Sequence, residues 1–306
     1  MGDTLHTSVL LKESIDYLNL KNDSIIVDCT LGYGGHSSLI LKNIPNGFLY
    51  SFDQDKTAIK YSLERLCKIA SNYKIINSNF VNIKTELNKF GIDKVDGILY
   101  DLGVSSPQLD EGERGFSFHQ DSRLDMRMNQ NQTLSAYEVI NEYSYEQLIH
   151  IFHVYGEEKY ATSIARGIIN NRPITTTLEL VDIIRANVPF KYARDKHPAR
   201  KVFQAIRIEV NDELNVFEKS LKDALTMLNI GGRICVITFH SLEDKICKNI
   251  FKEVSSVNPE LKNMPIVPEE YLPSYKIIKT LTPSYTEITD NTRARSAKLR
   301  VIERIR

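Results

Sequence analysis

Three glycines follow an apolar stretch near the start of the chain, in a pattern that can hold a ligand. The stretch ends at Asp28, and Gly32, Gly34 and Gly35 precede a second apolar segment that begins at Leu39. A glycine-rich turn between a parallel strand and a helix lets main-chain N–H groups and the helix N-terminus approach a bound molecule closely. A plain tight turn is the alternative interpretation.

An acidic residue in the next apolar stretch favours ligand binding. Asp53 ends the segment GFLYSFD, which predicts a second strand. A carboxylate there can accept hydrogen bonds from both ribose hydroxyls of an adenosine. A nicotinamide dinucleotide and S-adenosyl-L-methionine are the two cofactors that compete for this pattern. The dinucleotide motif G-x-G-x-x-G would need glycine in place of Ser37, and no second mononucleotide-binding half is visible, so S-adenosyl-L-methionine is favoured.

Two polar stretches follow later predicted strands, YDLGVSSPQLD at 100–110 and TFHSLED at 238–244. Ligands of open α/β sheets bind beyond the carboxyl ends of the strands, so both stretches should reach one cleft. Asp101 is the main catalytic candidate, because a carboxylate that accepts an N–H of an exocyclic amine can align the nitrogen for in-line methyl transfer. Contact with the cofactor is its alternative role. His240 is a candidate proton acceptor or substrate contact, although a lone histidine at a strand end is more often structural.

The segment GERGFSFHQDSRLDMRM, 112–128, interleaves aromatic and cationic side chains. Phe116 and Phe118 could stack on an extruded base while arginines such as Arg127 hold phosphates. In the alternative, the phenylalanines anchor the segment to the core and the arginines pair with neighbouring aspartates.

Two segments are basic in a chain that is neutral overall, with 39 Lys and Arg against 39 Asp and Glu. Segments 191–207 and 293–306 each carry six Lys or Arg against one acidic residue. Such runs can simply be solvated faces of helices and strands. Alternatively, the two patches bind the phosphate backbone of a nucleic acid, with an affinity that falls as salt concentration rises. Arg200 and Lys201, in the first segment, are predicted to contact substrate and not cofactor.

Apolar stretches alternate with helical patterns from residue 22 to Asp101. This alternation is typical of a parallel sheet with helices on both faces. The predicted strands are SIIVDCT, GFLYSFD, YKIINSNF and VDGILYDL, and the predicted helices span 36–44, 56–70 and 83–90. The second helix is predicted to place Ile59, Leu63, Leu66 and Ala70 on one face.

The pattern becomes helical after Asp101. Capping boxes at Ser144/Gln147 and Thr176/Glu179 begin helices with no strand between them. The β pattern returns at GGRICVITF, and SYKIIKTLTP and SAKLRVIERI predict an antiparallel hairpin. The predicted fold class is therefore α/β, with a core domain at 1–109 and 213–306 and an all-helical subdomain inserted at 110–212.

The chain of 306 residues, 42% hydrophobic and 25% charged, has an ordinary globular composition. Its four cysteines are widely spaced, which favours free thiols and no metal site, and Cys29 and Cys235 lie in apolar runs that predict burial. No apolar run is long enough to span a bilayer and no signal-peptide core is visible, so a cytoplasmic protein without membrane contact is expected. The oligomeric state stays open, and a homodimer is compatible with it.

Several stretches together resemble the bacterial 16S ribosomal RNA (cytosine-N4) methyltransferase family, RsmH/MraW. They extend from residue 6 to residue 300 and are highly specific as a set. They are HTSVLL (6–11), DCTLGYGGHS (28–37), DGILYDLGVSSPQLDEGERGFSF (96–118), LDMRM (124–128), YGEEKYA (155–161), HPARKVFQAIRIEVNDEL (197–214), GGRICVITFHSLED (231–244) and RARSAKLR (293–300).

The resemblance implies a Rossmann-like class I S-adenosylmethionine-dependent methyltransferase sheet with an inserted helical, substrate-recognising subdomain. It implies methylation of the N4 amine of a cytidine in the decoding region of 16S rRNA, with the small ribosomal subunit as partner. The cofactor contacts that it implies are Gly34, Gly35, His36, Asp53, Phe80, Asp101 and Gln108. A non-catalytic RNA-binding or assembly factor and a DNA amine methyltransferase are the remaining alternatives.

Overall fold

The structure, a computed structural model, describes residues 8–104, 112–195, 197–257, 261 and 268–306. The chain divides into two compact units, a sheet unit of Met1–Gly103 with Leu214–Arg306 and a helical unit of Val104–Glu213. That the inserted segment, predicted at 110–212, is a substrate-recognising domain stays a prediction.

A seven-stranded sheet forms the centre of the sheet unit, with the strand order β3-β2-β1-β4-β5-β7-β6. The strands are β1 Ile25–Asp28, β2 Phe48–Asp53, β3 Tyr73–Asn77, β4 Val95–Asp101, β5 Leu228–Thr238, β6 Tyr275–Leu281 and β7 Lys298–Arg304. Strands β1 to β5 pair in parallel, and β7 pairs antiparallel with both β5 and β6. The predicted Rossmann-like α/β class and the antiparallel hairpin near the C-terminus are confirmed.

Helices cover both faces of this sheet. They are α1 Leu11–Leu18, α2 Gly35–Asn43, α3 Lys56–Leu66, α4 Ile83–Asn88, α11 Glu213–Met227, α12 Ser241–Val254 and α13 Tyr285–Asp290. Successive strand residues point to opposite faces, so Ile26 and Leu99 join one apolar core while Val27 and Tyr100 join the other. Burial on both faces accounts for the continuous apolar runs of the strands.

The inward face of α3 differs from the predicted one. Ala58, Ser62 and Leu66 are buried, whereas Leu63 is 50% exposed and Ala70 follows the end of the helix. Small residues face inward because the helix packs closely against the glycine turn, where the Ser62 hydroxyl donates to the Gly32 carbonyl.

The helical unit contains α5 Ala136–Glu142, α6 Tyr145–Val154, α7 Ala161–Asn170, α8 Thr177–Ala186, α9 Phe190–Asp195 and α10 Ala199–Asn211. These helices surround a core of their own. The predicted capping boxes at the starts of α6 and α8 are both formed, and Ser135 with Glu138 forms a further one at the start of α5. Each box satisfies main-chain N–H groups that the first helical turn leaves free.

All four cysteines are free; Cys29, Cys235 and Cys247 are buried, and Cys67 is exposed. The predicted burial of Cys29 and Cys235 is confirmed. Among the described residues, no helix has both the length and the apolar character needed to cross a bilayer.

An ion-pair cluster joins α12 to β7, and its loss should destabilise the protein. Asp244 accepts hydrogen bonds from Arg300 Nε at 2.6 Å and Lys298 Nζ at 2.8 Å. Burial raises the pKa of Asp244, but these hydrogen bonds outweigh it and hold the pKa below its usual value. We expect Asp244→Ala to lower the free energy of unfolding by about 2 kcal/mol in denaturant titrations at pH 7, because it leaves Arg300 half-buried and unpaired.

The exposed pair of Glu218 with Lys222 provides the control, since such pairs contribute at most about 0.5 kcal/mol. Because the folded pKa of Asp244 is depressed, its contribution is present at pH 7 and is lost as pH falls through that pKa. Equal effects of Asp244→Ala and Glu218→Ala would contradict the expectation.

Candidate active site

Each parallel strand of the sheet ends in a polar residue. These residues are Asp28, Asp53, Asn77, Asp101 and Thr238. Since neighbouring parallel strands end at the same edge, all five lie along the carboxyl edge, where ligands of open α/β sheets bind.

The glycine turn crosses this edge between β1 and α2. Gly32 and Gly34 have φ values of 49° and 75°, and Gly34 is the residue that precedes the first turn of α2. A Cβ atom at Gly35 would overlap the Ser8 hydroxyl. The turn therefore needs glycine twice for its backbone conformation, and a side chain at position 35 would require Ser8 to move.

Asp53 is built into this turn. Its Oδ2 accepts a hydrogen bond from Gly32 N at 2.9 Å, and its Oδ1 accepts one from Asp55 N at 2.8 Å. Burial raises the pKa of Asp53 to about 7, although these main-chain hydrogen bonds oppose the rise. The carboxyl is thus held in place at the end of β2, where a ribose was predicted to bind.

A further carboxylate of this edge, Asp28, was not predicted as a site residue and is fully buried. Its two oxygens accept from Ser37 Oγ at 2.7 Å and from Thr30 N at 3.1 Å, and Thr30 Oγ1 in turn accepts from Asp101 N at 2.7 Å. A charged residue that ends an apolar strand must find such partners. The place of Asp28 at the end of an apolar run is the sequence feature from which its role, joining the glycine turn to β4, could have been predicted.

Asp101 and His36 face each other, with 3.5 Å between Asp101 Oδ2 and His36 Nδ1. Burial lowers the pKa of His36 to about 4, so its imidazole is neutral at pH 7, while burial and the nearby Asp28 and Glu243 charges raise the pKa of Asp101 well above its usual value. Within the described residues, His36 Nε2 and Asp101 Oδ1 are buried without a hydrogen-bond partner.

These features fit the predicted cofactor. Buried polar atoms without partners cost free energy until another group completes them. A positive-φ glycine turn, a helix N-terminus and a carboxylate in fixed orientation suit a nucleoside that carries an amino-acid moiety. Gly34, Gly35, His36, Asp53 and Asp101 are therefore brought together in one unit, and their contact with cofactor stays a prediction.

Two predicted cofactor contacts remain, of which one is placed differently from the prediction and the other is not described. Phe80 does not end β3, which stops at Asn77; it begins a short 3-10 helix because Asn79 caps that turn through its side chain. Its partly buried ring lies edge-on to Tyr100, with 5.7 Å between centroids. Gln108 lies outside the described residues.

His240 has a structural role in the fold. It caps α12, with its Nδ1 accepting from Glu243 N at 3.4 Å, while Glu243 Oε2 accepts from Phe239 N at 2.7 Å. This arrangement fits the structural alternative, and a catalytic role for His240 stays a prediction.

The predicted substrate contacts in the helical unit differ in their surroundings. Phe116 is 5% exposed and belongs to the core, so its ring anchors the segment as in the alternative interpretation. Arg127 forms two hydrogen bonds of 2.8 Å with the Asp125 carboxylate. Phe118 is half-buried, which leaves it as the aromatic residue of this segment with accessible surface for stacking.

The two predicted basic contacts lie at the start of α10. Arg200 is exposed, and Lys201 Nζ donates to the Glu157 carbonyl. In the sheet unit, Lys298 and Arg300 of the other basic segment both pair with Asp244, which reduces the positive charge that they offer to RNA.

Gly34, in the glycine turn, and Gly91, outside it, both have positive φ values, but their replacement by alanine should have different effects. Gly34→Ala should lower the free energy of unfolding by about 1–2 kcal/mol, from the positive φ of 75° and a Cβ placed 3.3 Å from Ser62 Oγ. Gly91 has φ 73° with nothing within 4 Å of an added Cβ atom, so Gly91→Ala should cost about 1 kcal/mol from backbone strain alone. Calorimetric titration with S-adenosyl-L-methionine should then show weaker binding for Gly34→Ala and wild-type binding for Gly91→Ala. Equal affinities of the two variants would contradict a cofactor site at the glycine turn.

Comparison with known proteins gives consistent matches. A model of the MraW methylase family matches residues 3–305. Ribosomal RNA small subunit methyltransferase H of Exiguobacterium sibiricum is 53% identical over 308 residues, which cover 98% of each chain. An rRNA methylase structure from Streptococcus thermophilus has 11% identity and a TM-score of 0.44 over 99% of each chain. A Streptococcus mutans protein in complex with SAH has 13% identity and a TM-score of 0.45, with 96% of this chain and 97% of that chain covered. At such low TM-scores, the two structures add nothing to the assignment.

Proposed function

Because the chain belongs to the MraW methylase family, we propose that it methylates the exocyclic N4 amine of a cytidine in the decoding region of 16S ribosomal RNA. The predicted family and enzyme class, a methyltransferase that uses S-adenosyl-L-methionine, are confirmed by this membership. The finer assignment to a ribosomal RNA of the small subunit is supported by the relative from Exiguobacterium sibiricum, which is 53% identical to this chain.

The main observation in favour of an amine as the group that receives the methyl concerns the Asp101 side chain, at the end of β4. Its Oδ1 is a buried acceptor without a partner among the described residues, and its main chain is fixed by Thr30. An exocyclic amine on a pyrimidine is a weak nucleophile, because its lone pair is delocalised into the ring. An N–H of that amine donating to Asp101 would orient the nitrogen and return electron density to it.

The cofactor supplies a methyl group on a sulfonium sulfur. Bound S-adenosyl-L-methionine would give up that methyl group to the amine nitrogen, and its sulfur would keep the electron pair of the broken carbon–sulfur bond. The nitrogen then has to release one proton. In this proposal Asp101 accepts the N–H and takes up that proton, because burial raises its pKa well above the usual value. The neutral His36 imidazole, 3.5 Å from Asp101 Oδ2, has a pKa of about 4 and is the weaker base.

The RNA contacts would come from basic and aromatic side chains. Exposed Arg200 and half-buried Phe118 are suited to a phosphate and a base, respectively. We further propose a cytoplasmic protein with the small ribosomal subunit as its partner, either as a monomer or as a homodimer.

Mass spectrometry of small-subunit RNA from a strain without this gene tests the proposal. The expected result is the loss of one methyl group from the base of a decoding-region cytidine, restored by the wild-type gene and not by a gene carrying Asp101→Ala. An unchanged RNA together with a lost methyl group in DNA would replace the proposal by DNA amine methylation. Full restoration by Asp101→Ala would remove Asp101 from the mechanism.

A further inference from the structure

Four side chains from three segments of the helical unit form a cluster, and the proposed function uses only one of them, Arg200. His119 lies in segment 112–128 and Arg185 in the last turn of α8. Arg200 lies in the first turn of α10, and His197 precedes that helix by two residues. We call these four residues the imidazole–arginine cluster. His119, Arg185 and Arg200 are exposed and His197 is half-buried, so the cluster lies at the surface of its unit.

Tilted ring contacts with Phe118 place the two imidazoles next to each other. The Phe118 ring lies 4.3 Å from that of His119 and 4.6 Å from that of His197, measured between centroids. The two imidazole rings are 5.5 Å apart. Phe118 also packs edge-on against Phe203 of the core at 5.7 Å. The positions of both imidazoles are therefore determined by the packing of the unit.

The contact between Arg185 and His197 determines where protons sit. Arg185 Nη2 lies 3.0 Å from His197 Nε2. A guanidinium can only donate, so Nε2 accepts and the ring proton of the neutral imidazole is on Nδ1. Because Nδ1 already carries a proton, a second proton must bind at Nε2, the atom that faces Arg185.

The cluster has cations and no matching anion. Within the described part of the chain, no carboxylate forms an ion pair with any of its four members. Burial lowers the pKa of His197, and the neighbouring Arg185, His119 and Arg200 lower it further. Two guanidinium groups beside the His197 imidazole therefore make a positive site that an anion would complement.

We propose that the imidazole–arginine cluster binds a backbone phosphate of the substrate RNA and that His197 gains a proton at Nε2 when it does so. The proposal rests on the proposed function, in that the RNA is taken to be the substrate. The phosphate accepts from Arg185 in place of the imidazole, and the protonated Nε2 then donates to the same phosphate. Phosphates carry no base identity, so the cluster adds affinity and register and leaves the choice of cytidine to other contacts.

The coupling to protons has a definite sign. A bound phosphate raises the pKa of His197 from its lowered value, so binding takes up a proton at pH values between the two pKa values. RNA affinity therefore increases as pH falls through that range, by up to about tenfold per pH unit for one proton. Among the described residues, the charged or titratable groups that act on His197 are Arg185, His119 and Arg200, and a positive charge on any of them favours the anion.

Fluorescence anisotropy of the full-length protein with a labelled small-subunit RNA fragment, at pH 6 to 8 and at several salt concentrations, tests the proposal. We expect Arg185→Gln to weaken binding and to reduce the slope of log Kd against log salt concentration by about one. We expect His197→Gln to remove the pH dependence. His153→Gln, which changes an exposed histidine on α6, is the matched control and should behave as wild type.

An unrelated RNA of equal length should lose affinity in the same two variants, because the contact is to phosphate. Wild-type affinity, pH dependence and salt slope in both Arg185→Gln and His197→Gln would overturn the proposal. The proposal would also be overturned if these two variants lost affinity for S-adenosyl-L-methionine and kept their affinity for RNA. A wild-type protein that binds the RNA but does not methylate it would instead refute the proposed function, and the comparison of variants would still decide the role of the cluster.

Discussion

Asp101→Ala is expected to reduce methyl transfer to small-subunit RNA by about 10²–10⁴-fold, the range typical for a lost acid–base group. The reason is that the substitution removes both the acceptor of the amine N–H and the group next to His36 Nδ1, 3.5 Å away. Single-turnover rates with saturating S-adenosyl-L-methionine would measure this loss separately from any change in cofactor affinity.

Asp101→Asn separates the two roles of the carboxyl group. The amide keeps an oxygen that accepts the amine N–H but cannot take up a proton at neutral pH. A rate close to that of wild type would mean that Asp101 only orients the amine, and a rate close to that of Asp101→Ala would mean that it also receives the proton. A full rate in Asp101→Ala would exclude both roles.

Stability provides a second readout for this residue. The pKa of Asp101 is raised in the folded protein by burial and by the charges of Asp28 and Glu243. A raised carboxyl pKa stabilises the fold at low pH, and this contribution is lost as pH rises through the folded pKa. Asp101→Asn should therefore raise the Tm of the cofactor-free protein at pH 8 while lowering activity, as expected for a residue kept for function.

Asp53→Ala is expected to weaken S-adenosyl-L-methionine binding by about 10²-fold at pH 8, since hydrogen bonds to a charged group contribute about 1.5–3 kcal/mol each. The fold should persist, because Asp53 lies at the end of β2 and only partly inside the core. Isothermal titration calorimetry and thermal unfolding of the same samples would test both statements.

The pH dependence of cofactor affinity tests whether the ionised Asp53 carboxylate contacts the ribose. The pKa of Asp53 is about 7 in the cofactor-free protein because of burial. Ribose hydroxyls bind the ionised form better, so wild-type affinity should increase with pH by up to about tenfold per unit below pH 7 and level off above it. Asp53→Asn can still accept from Gly32 N, and its affinity should not change with pH. A pH-independent wild-type affinity would show that Asp53 does not contact the ribose.

The sequence predicted the elements that carry the candidate site with useful accuracy. The strand that ends at Asp53 was predicted to end there, and the strands that end at Asp28 and Asp101 were predicted to within two residues, as SIIVDCT and VDGILYDL. The glycine turn and the capping boxes that begin α6 and α8 were predicted as well. Apolar periodicity, glycine conformation and helix capping depend on residues that are near one another in the chain. For this reason, they can be recognised without the fold.

Contacts between distant segments could be decided only by the tertiary structure. The inward face of α3 is set by packing of Ser62 against Gly32, thirty residues away, and not by the apolar pattern that contained Leu63. Phe116 and Phe118 look equivalent in the sequence, yet one belongs to the core and the other lies beside His197.

The chain by itself thus determined its class of fold, the edge at which a nucleoside would bind and the carboxylates at Asp53 and Asp101. The fold alone decided the partners of Asp28, the pairing of Asp101 with His36 and the meeting of Arg185 with His197. The physical reason is that backbone preferences act over a few residues, whereas burial, charge and pKa depend on whatever the folded chain brings into contact.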